Sequence, residues 1–117
     1  MVVVAGLERI YAHADIHDVL VAKALKRVKT MRQGFALCDG GCDVGSMATP
    51  VQLEHVQELV QDAIANGAQA LAGGKIAQDQ NGYFFEPTLL VNVRNDMRIV
   101  QEEVTSSTFR FVCCCYW

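Results

Sequence analysis

Proline is scarce, two residues in a chain of 117, and no stretch is dominated by serine, glycine or one sign of charge. A disordered or low-complexity polymer is thereby excluded, because 51% hydrophobic and 20% charged residues supply ample apolar surface to bury. Long hydrophobic runs are also missing. The longest apolar stretches, Val2 to Leu7 and Phe111 to Trp117, fall far short of the roughly 20 residues a membrane-spanning helix needs. No basic flank makes the N-terminus a secretory signal, so a cytoplasmic protein without membrane association is expected. Ten basic and thirteen acidic residues are dispersed for a net charge of -3, leaving no block that could neutralise several phosphates. Nucleic acid is not an expected partner. Five cysteines are an odd number, and Cys113, Cys114 and Cys115 are consecutive, where neighbours bridge poorly. A disulfide framework is not expected. One small domain, burying roughly 65% of its unfolded surface, is the ceiling at this length.

What is present reads as alternating strand and helix. Leu7 to His13, around Ile10 and Tyr11, is rich in strand formers, and Asp15 supplies a helix N-cap. A helix over 15–32 follows, its apolar stripe formed by Ile16, Leu20, Ala24 and Val28, with Lys23, Lys26, Arg27 and Lys29 mostly off that stripe. Gly34 ends it, and Phe35 to Ala48 has no helical period and reads as loop. Thr49-Pro50-Val51-Gln52 is a capping box with proline at the first helical position, predicting a helix over 49–66. Its stripe is Leu53, Val56, Leu59, Val60, Ala63 and Ile64. Asn66-Gly67 stops it, Ala68 to Ala72 reads as a short strand, and Gly73-Gly74 as a turn. Tyr83-Phe84-Phe85 and Thr88 to Val93 read as two short strands interrupted by Pro87. The expected fold is α/β, with the two helices packed on a short parallel sheet of Leu7 to His13, Ala68 to Ala72 and Thr88 to Val93.

Several residues invite a chemical reading, and each has a plainer one. Cys38 and Cys42, with three residues between them in a glycine-rich loop, could offer thiolates to zinc together with Cys113 to Cys115, but the spacing is not a two-residue knuckle; no metal centre is expected. His13 and His17 are four apart and read as surface histidines. Gly73-Gly74-Lys75 lacks the Gly-Lys-Ser/Thr ending of a phosphate loop and reads as a turn. The basic cluster from Lys23 to Lys29 reads as a solvated helix face.

Gly82-Tyr83-Phe84-Phe85-Glu86-Pro87-Thr88-Leu89-Leu90, followed by Asn95-Asp96-Met97-Arg98-Ile99-Val100-Gln101-Glu102-Glu103-Val104, resembles the "GYFxxPTxL…DMRIxxEExFGP" stretch of the aldehyde dehydrogenase superfamily. Gln52 to Gly74, with its "LVQDAIANGAQALAGGK", and Ala5-Gly6-Leu7-Glu8-Arg9-Ile10-Tyr11-Ala12 resemble the same family in collinear order. The resemblance implies a partial three-layer sheet-and-helix slice of the family's catalytic domain over 1–104, with 105–117 a divergent tail. It also implies an oxidoreductase that uses NAD or NADP, in which a thiolate attacks an aldehyde carbonyl, a hydride passes to the nicotinamide and the thioester is hydrolysed.

Residue by residue, the resemblance carries over little of that machinery. Alignment on Ala5-Gly6-x-Glu8-Arg9 puts Val4 at the nucleophile's position, and valine cannot attack a carbonyl; no catalytic residue is assigned. Glu103, the second acid of "QEEV", matches the glutamate that clamps the nicotinamide ribose, a task that suits a carboxylate because it accepts from two vicinal hydroxyls. The family's "FGP" is replaced by Thr105-Ser106-Ser107-Thr108. The chain therefore reads as a truncated family fragment, inactive by itself and binding no coenzyme alone. A rival reading is a non-catalytic α/β interaction module that binds an intact homologous subunit through unpaired strands. Residues after Val104 are expected to pack poorly.

Overall fold

A computed structural model of the chain describes residues 9–35, 40–78 and 81–102, and the backbone of 110–115. Strand β1 (Arg9–Ala12) runs straight into helix α1 (Ala14–Thr30). The turn between them is capped by His13, whose Nδ1 accepts from the Asp15 amide at 3.3 Å. Asp15 is thus in the first turn and not at the cap, where the sequence reading had it; both placements set an acid against the positive end of the helix. Arg27 and Lys29 occupy the last turn, where cations face exposed carbonyls.

Beyond α1 the chain makes an excursion pinned at its base by Arg32. The Arg32 amide donates to Asp43 Oδ2 at 2.9 Å and its guanidinium to the Gly40 carbonyl at 2.8 Å. Cys42 lies in this loop and is disulfide-bonded. Helix α2 (Pro50–Ala65) begins at the capping box: Thr49 Oγ1 accepts from the Gln52 amide at 3.3 Å, and Pro50 needs no partner in the first turn. Its stripe of Leu53, Val56, Leu59, Val60 and Ala63 is buried, while Ile64 is exposed.

Two short strands follow, β2 (Gln69–Ala72) and β3 (Thr88–Val91). The Gly73-Gly74 turn leaves β2, and here glycine is required: a Cβ on Gly73, at φ +64°, would stand 2.4 Å from the Pro87 carbonyl oxygen. Thr88 Oγ1 ties the turn down by accepting from the Gly74 amide at 2.9 Å and donating to the Glu86 carbonyl at 2.7 Å. Of the expected strand at Tyr83 to Phe85, only an isolated bridge between Phe85 and Ile76 forms. Phe84 and Phe85 are nevertheless fully buried. The one-turn helix α3 (Arg98–Gln101) comes next, then strand β4 (Arg110–Cys115).

The four strands form one sheet in the order β1-β4-β3-β2. Strands β1, β4 and β3 are parallel, but β2 is antiparallel to β3, with an irregularity between Ala70 and Ala72. This corrects the all-parallel sheet. Within the tail expected to pack poorly, it also corrects the reading of Arg110–Cys115, because β4 is paired on both sides; the rest of the tail lies outside the described residues. All four residues of β3 are buried, and since successive side chains point to opposite faces, both faces must be covered. Leu90 joins a cluster with Leu59, Val60, Met97 and Ile99 of the α2 and α3 region, while α1 lies across all four strands. The result is a helix-sheet-helix slice of α/β type. Among the described residues, no helix is long and apolar enough to cross a membrane.

Candidate functional site

The segment from Asn92 to Glu102 carries four charged side chains held by partners, Arg94, Asp96, Arg98 and Glu102. Asn92 leaves β3 in the left-handed region at φ 57°, a conformation an asparagine tolerates better than a bulky side chain. Arg94 then closes the end of α2, donating to the Asn66 carbonyl at 3.0 Å and pairing with Asp96 at 3.0 Å. That hydrogen bond holds the Asp96 carboxyl below its ordinary range. The Asn95 side chain accepts from the Tyr11 hydroxyl at 3.2 Å, and its carbonyl accepts from Gln101 at 3.2 Å. The segment is thereby tied to β1, α2 and α3 together.

Arg98 is the hub of the last part. Its Nε donates to Glu102 Oε1 at 2.7 Å, four residues on, and its other nitrogens reach Glu58 Oε1 of α2 at 2.8 Å and Glu102 Oε2 at 3.5 Å. His55 Nε2, also on α2, stands 3.6 Å from Glu102 Oε2. The hydrogen bond from Arg98 and the charges of Arg98 and His55 hold the Glu102 carboxyl below the usual carboxylate range, against a smaller opposing effect of desolvation. Glu102 and Glu58 in turn hold the proton on Arg98 more tightly than usual. Sequence reasoning missed this cluster. Its signal was the Arg98-x3-Glu102 spacing, which puts opposite charges on one helix face; Glu58, 40 residues away in sequence, left none.

The residues singled out from the sequence fare differently. Val4 and Glu103 lie outside the described residues, as do Cys38 and the side chains of Cys113 to Cys115. His13 is a helix cap and His17 Nδ1 lies 3.0 Å from Asp18 Oδ1. They are not brought together as a ligand pair. Among the described residues, no three of histidine, cysteine, aspartate and glutamate are grouped to hold a metal ion. Lys75 sits 3.9 Å from Glu86 Oε1, in the turn and not at a helix N-terminus.

Comparison with known proteins agrees on one family. Its family-wide description, Aldehyde dehydrogenase family, matches residues 4–108. A putative aldehyde dehydrogenase-like protein, C21C3, of Schizosaccharomyces pombe is 38% identical over 101 residues, which is 84% of this chain and 19% of that protein. The NADP(+) succinate-semialdehyde dehydrogenase 2 of the same organism is 35% identical over 106 residues, 88% of this chain and 21% of that protein. The chain thus spans about a fifth of the length of these relatives. Among solved structures, the NAD+ complex of an aldehyde dehydrogenase from Bacillus cereus superposes with TM-score 0.82 at 27% identity, covering 93% of this chain and 21% of that one. Betaine aldehyde dehydrogenase from Staphylococcus aureus in complex with NAD+ gives 0.81 at 30% identity, covering 93% and 22%.

Proposed function

Because this chain belongs to the aldehyde dehydrogenase family, we propose that residues 1–104 are part of the catalytic domain of a cytoplasmic, NAD- or NADP-dependent oxidoreductase acting on aldehydes. In this reading the chain contributes Glu103 to the hold on the nicotinamide ribose. The observation that carries it is the family match over residues 4–108, which takes in the Gln101-Glu102-Glu103-Val104 motif. A carboxylate there can accept from two vicinal ribose hydroxyls at once, orienting the sugar without chemistry of its own. The coenzyme, when bound, supplies the hydride acceptor. The nucleophile's position is Val4, an aliphatic, so the chain by itself carries out no turnover.

Two measurements test this. The purified chain, mixed with short and long aldehydes and NAD or NADP, is expected to give no reduced coenzyme above a no-protein control; formation of reduced coenzyme would sink the assignment of Val4. In an intact homologue whose matching segment is replaced by residues 82–104 of this chain, NAD is expected to bind more tightly than an analogue with a 2′,3′-dideoxy nicotinamide ribose, while the 117-residue chain alone is expected to bind neither. Glu103→Gln should abolish the difference between the two ligands, and survival of that difference would remove Glu103 from the role.

A second reading has its own support. β2 is an edge strand whose Gln69, Ala70 and Leu71 are exposed, so an intact homologous subunit could add a strand there. Native mass spectrometry with such a subunit would test it, and the absence of a mixed species would count against it.

A further inference from the structure

Helix α1 is charged unevenly along its length. Asp15 stands in its first turn and Lys29 in its last, with Asp18 and Lys26 between them. All four are exposed, as are Val19 and Ala22, which lie between the acids and the lysines on the same face. Val28 is buried on the opposite face, where α1 meets the sheet. Val19 is 59% exposed although its side chain is apolar. Asp15 and Asp18 each have a histidine beside one carboxylate oxygen, His13 at 3.4 Å and His17 at 3.0 Å, which leaves the second oxygen of each for a further donor. Among the described residues, neither Lys26 nor Lys29 has an acidic partner.

The order of these residues is self-complementary about Ala22. Asp18 and Lys26 lie four residues to either side of it, and Asp15 and Lys29 seven, the two spacings that stay on one helical face. Turning a second copy of α1 end for end about a two-fold axis at Ala22 brings Asp18 level with Lys26 of the second copy and Asp15 level with Lys29 of the second copy, and the symmetry forms each pair twice. We propose that this face of α1 is a docking surface for a second copy of this chain, the two helices antiparallel with Ala22 on the axis. A methyl group at that point lets the helix axes approach to about 8 Å. Val19 is then covered by the aliphatic stems of the lysines of the second copy. A parallel pair would set acid against acid and lysine against lysine, so charge also chooses the direction. This pairing uses the outer face of a helix and no strand edge, and it is independent of strand addition at β2.

Sedimentation velocity on the full 117-residue chain at up to about 1 mM, the range a single small helix interface needs, is expected to show a reversible dimer. Asp18→Lys and Lys26→Glu each turn two attractions into two repulsions, and each should weaken the dimer about tenfold. Mixing the two single variants in equal amounts should restore it, because each supplies the charge that the other lacks. Combining both substitutions in one chain should restore it as well. Asp15→Lys and Lys29→Glu should repeat the pattern, and they serve if either reversal nearer the axis disturbs folding, which circular dichroism reads. Ala22→Arg, which sets two like charges against each other on the axis, should abolish the dimer. A wild-type chain that stays monomeric overturns the proposal, as does a dimer indifferent to the single reversals or to Ala22→Arg. Single variants that weaken the dimer but do not recover on mixing overturn the antiparallel pairing.

Discussion

Helices α1 and α2 are nearly equal in length, 17 and 16 residues, and each carries an apolar stripe, yet they are buried to very different extents. Five positions of α2 are buried, and only Val28 of α1 is. Ile16, which begins the α1 stripe, is 57% exposed, and Val19 beside it 59%. The difference lies in what each helix meets. Helix α2 faces a cluster built from β3, α3 and the Phe85 turn, whereas the apolar side chains of Ile16 and Val19 near the start of α1 meet solvent. Apolar periodicity tells which face turns inward but not how much of the helix finds something to turn toward.

Leu59→Ala should give the sharpest form of this contrast. Leu59 is fully buried within the α2 cluster, and the truncation should cost about 3 kcal/mol from lost burial and the cavity left behind. Ile16→Ala, the same kind of change at the exposed end of α1, should cost less than about 0.5 kcal/mol. Urea unfolding of both variants measures the two values, and equal losses would abolish the distinction between the helices. Next in size comes the turn that sets β2 against β3. Gly73→Ala combines a left-handed backbone with contacts of 2.4 Å to the Pro87 oxygen and 2.7 Å to Thr88 Oγ1, and about 2 kcal/mol is expected. Gly41, also left-handed at φ +74° but with nothing within 4 Å of a built Cβ, should lose about 1 kcal/mol as alanine. If Gly41→Ala proves the costlier, close approach is not what makes Gly73 special. Smaller again is the start of α2: Thr49→Ala removes the hydroxyl that accepts from Gln52 and should cost about 1 kcal/mol in the same unfolding measurement.

The start of α2 was legible because capping is a local matter: Thr49, Pro50 and Gln52 satisfy one another within four residues. The strand β4 was not, for a reason visible in its composition. Phe111 to Cys115 is a continuous apolar run with no alternation, which reads as a sticky tail if a half-buried strand is expected. Strands paired on both sides in a parallel sheet are covered on both faces and carry such runs. The direction of β2 was hidden for another reason. Alternation of strands with helices suggests parallel neighbours, but Gly73 to Pro87 connects β2 to β3 without a helix, and only a helical crossover would have kept them parallel. Of the candidate site, the motif holding Glu103 was readable by resemblance and the Arg98-to-Glu102 spacing by helical period. The third corner, Glu58, depends on how α2 packs beside α3, which no short window of sequence contains.

The smallest expected effect concerns the charges that join those two helices. The Glu102 carboxyl is held below its ordinary range chiefly by the Arg98 hydrogen bond, and the Asp96 carboxyl likewise by Arg94. A group whose folded value is depressed contributes stability that is fully present above its unfolded value, about 4.3 for glutamate and 3.9 for aspartate. As pH falls through the depressed folded value, the unfolded chain has already taken up its proton, the folded chain is forced to follow, and the contribution disappears. Arg98→Met should therefore weaken the chain slightly at neutral pH and hardly at all once the pH is well below 4, where wild type has lost the same contribution. Arg94→Met should repeat the pattern at a slightly lower pH, with an added loss that does not titrate, because Arg94 also caps the Asn66 carbonyl. Salt should shrink the titrating part of both effects, since the pairs are exposed and screened. Urea unfolding across pH 3 to 7 at low and high salt reads all three features, and a loss in Arg98→Met that stays constant across that range would mean that the arginine acts through packing of its stem and not through Glu102.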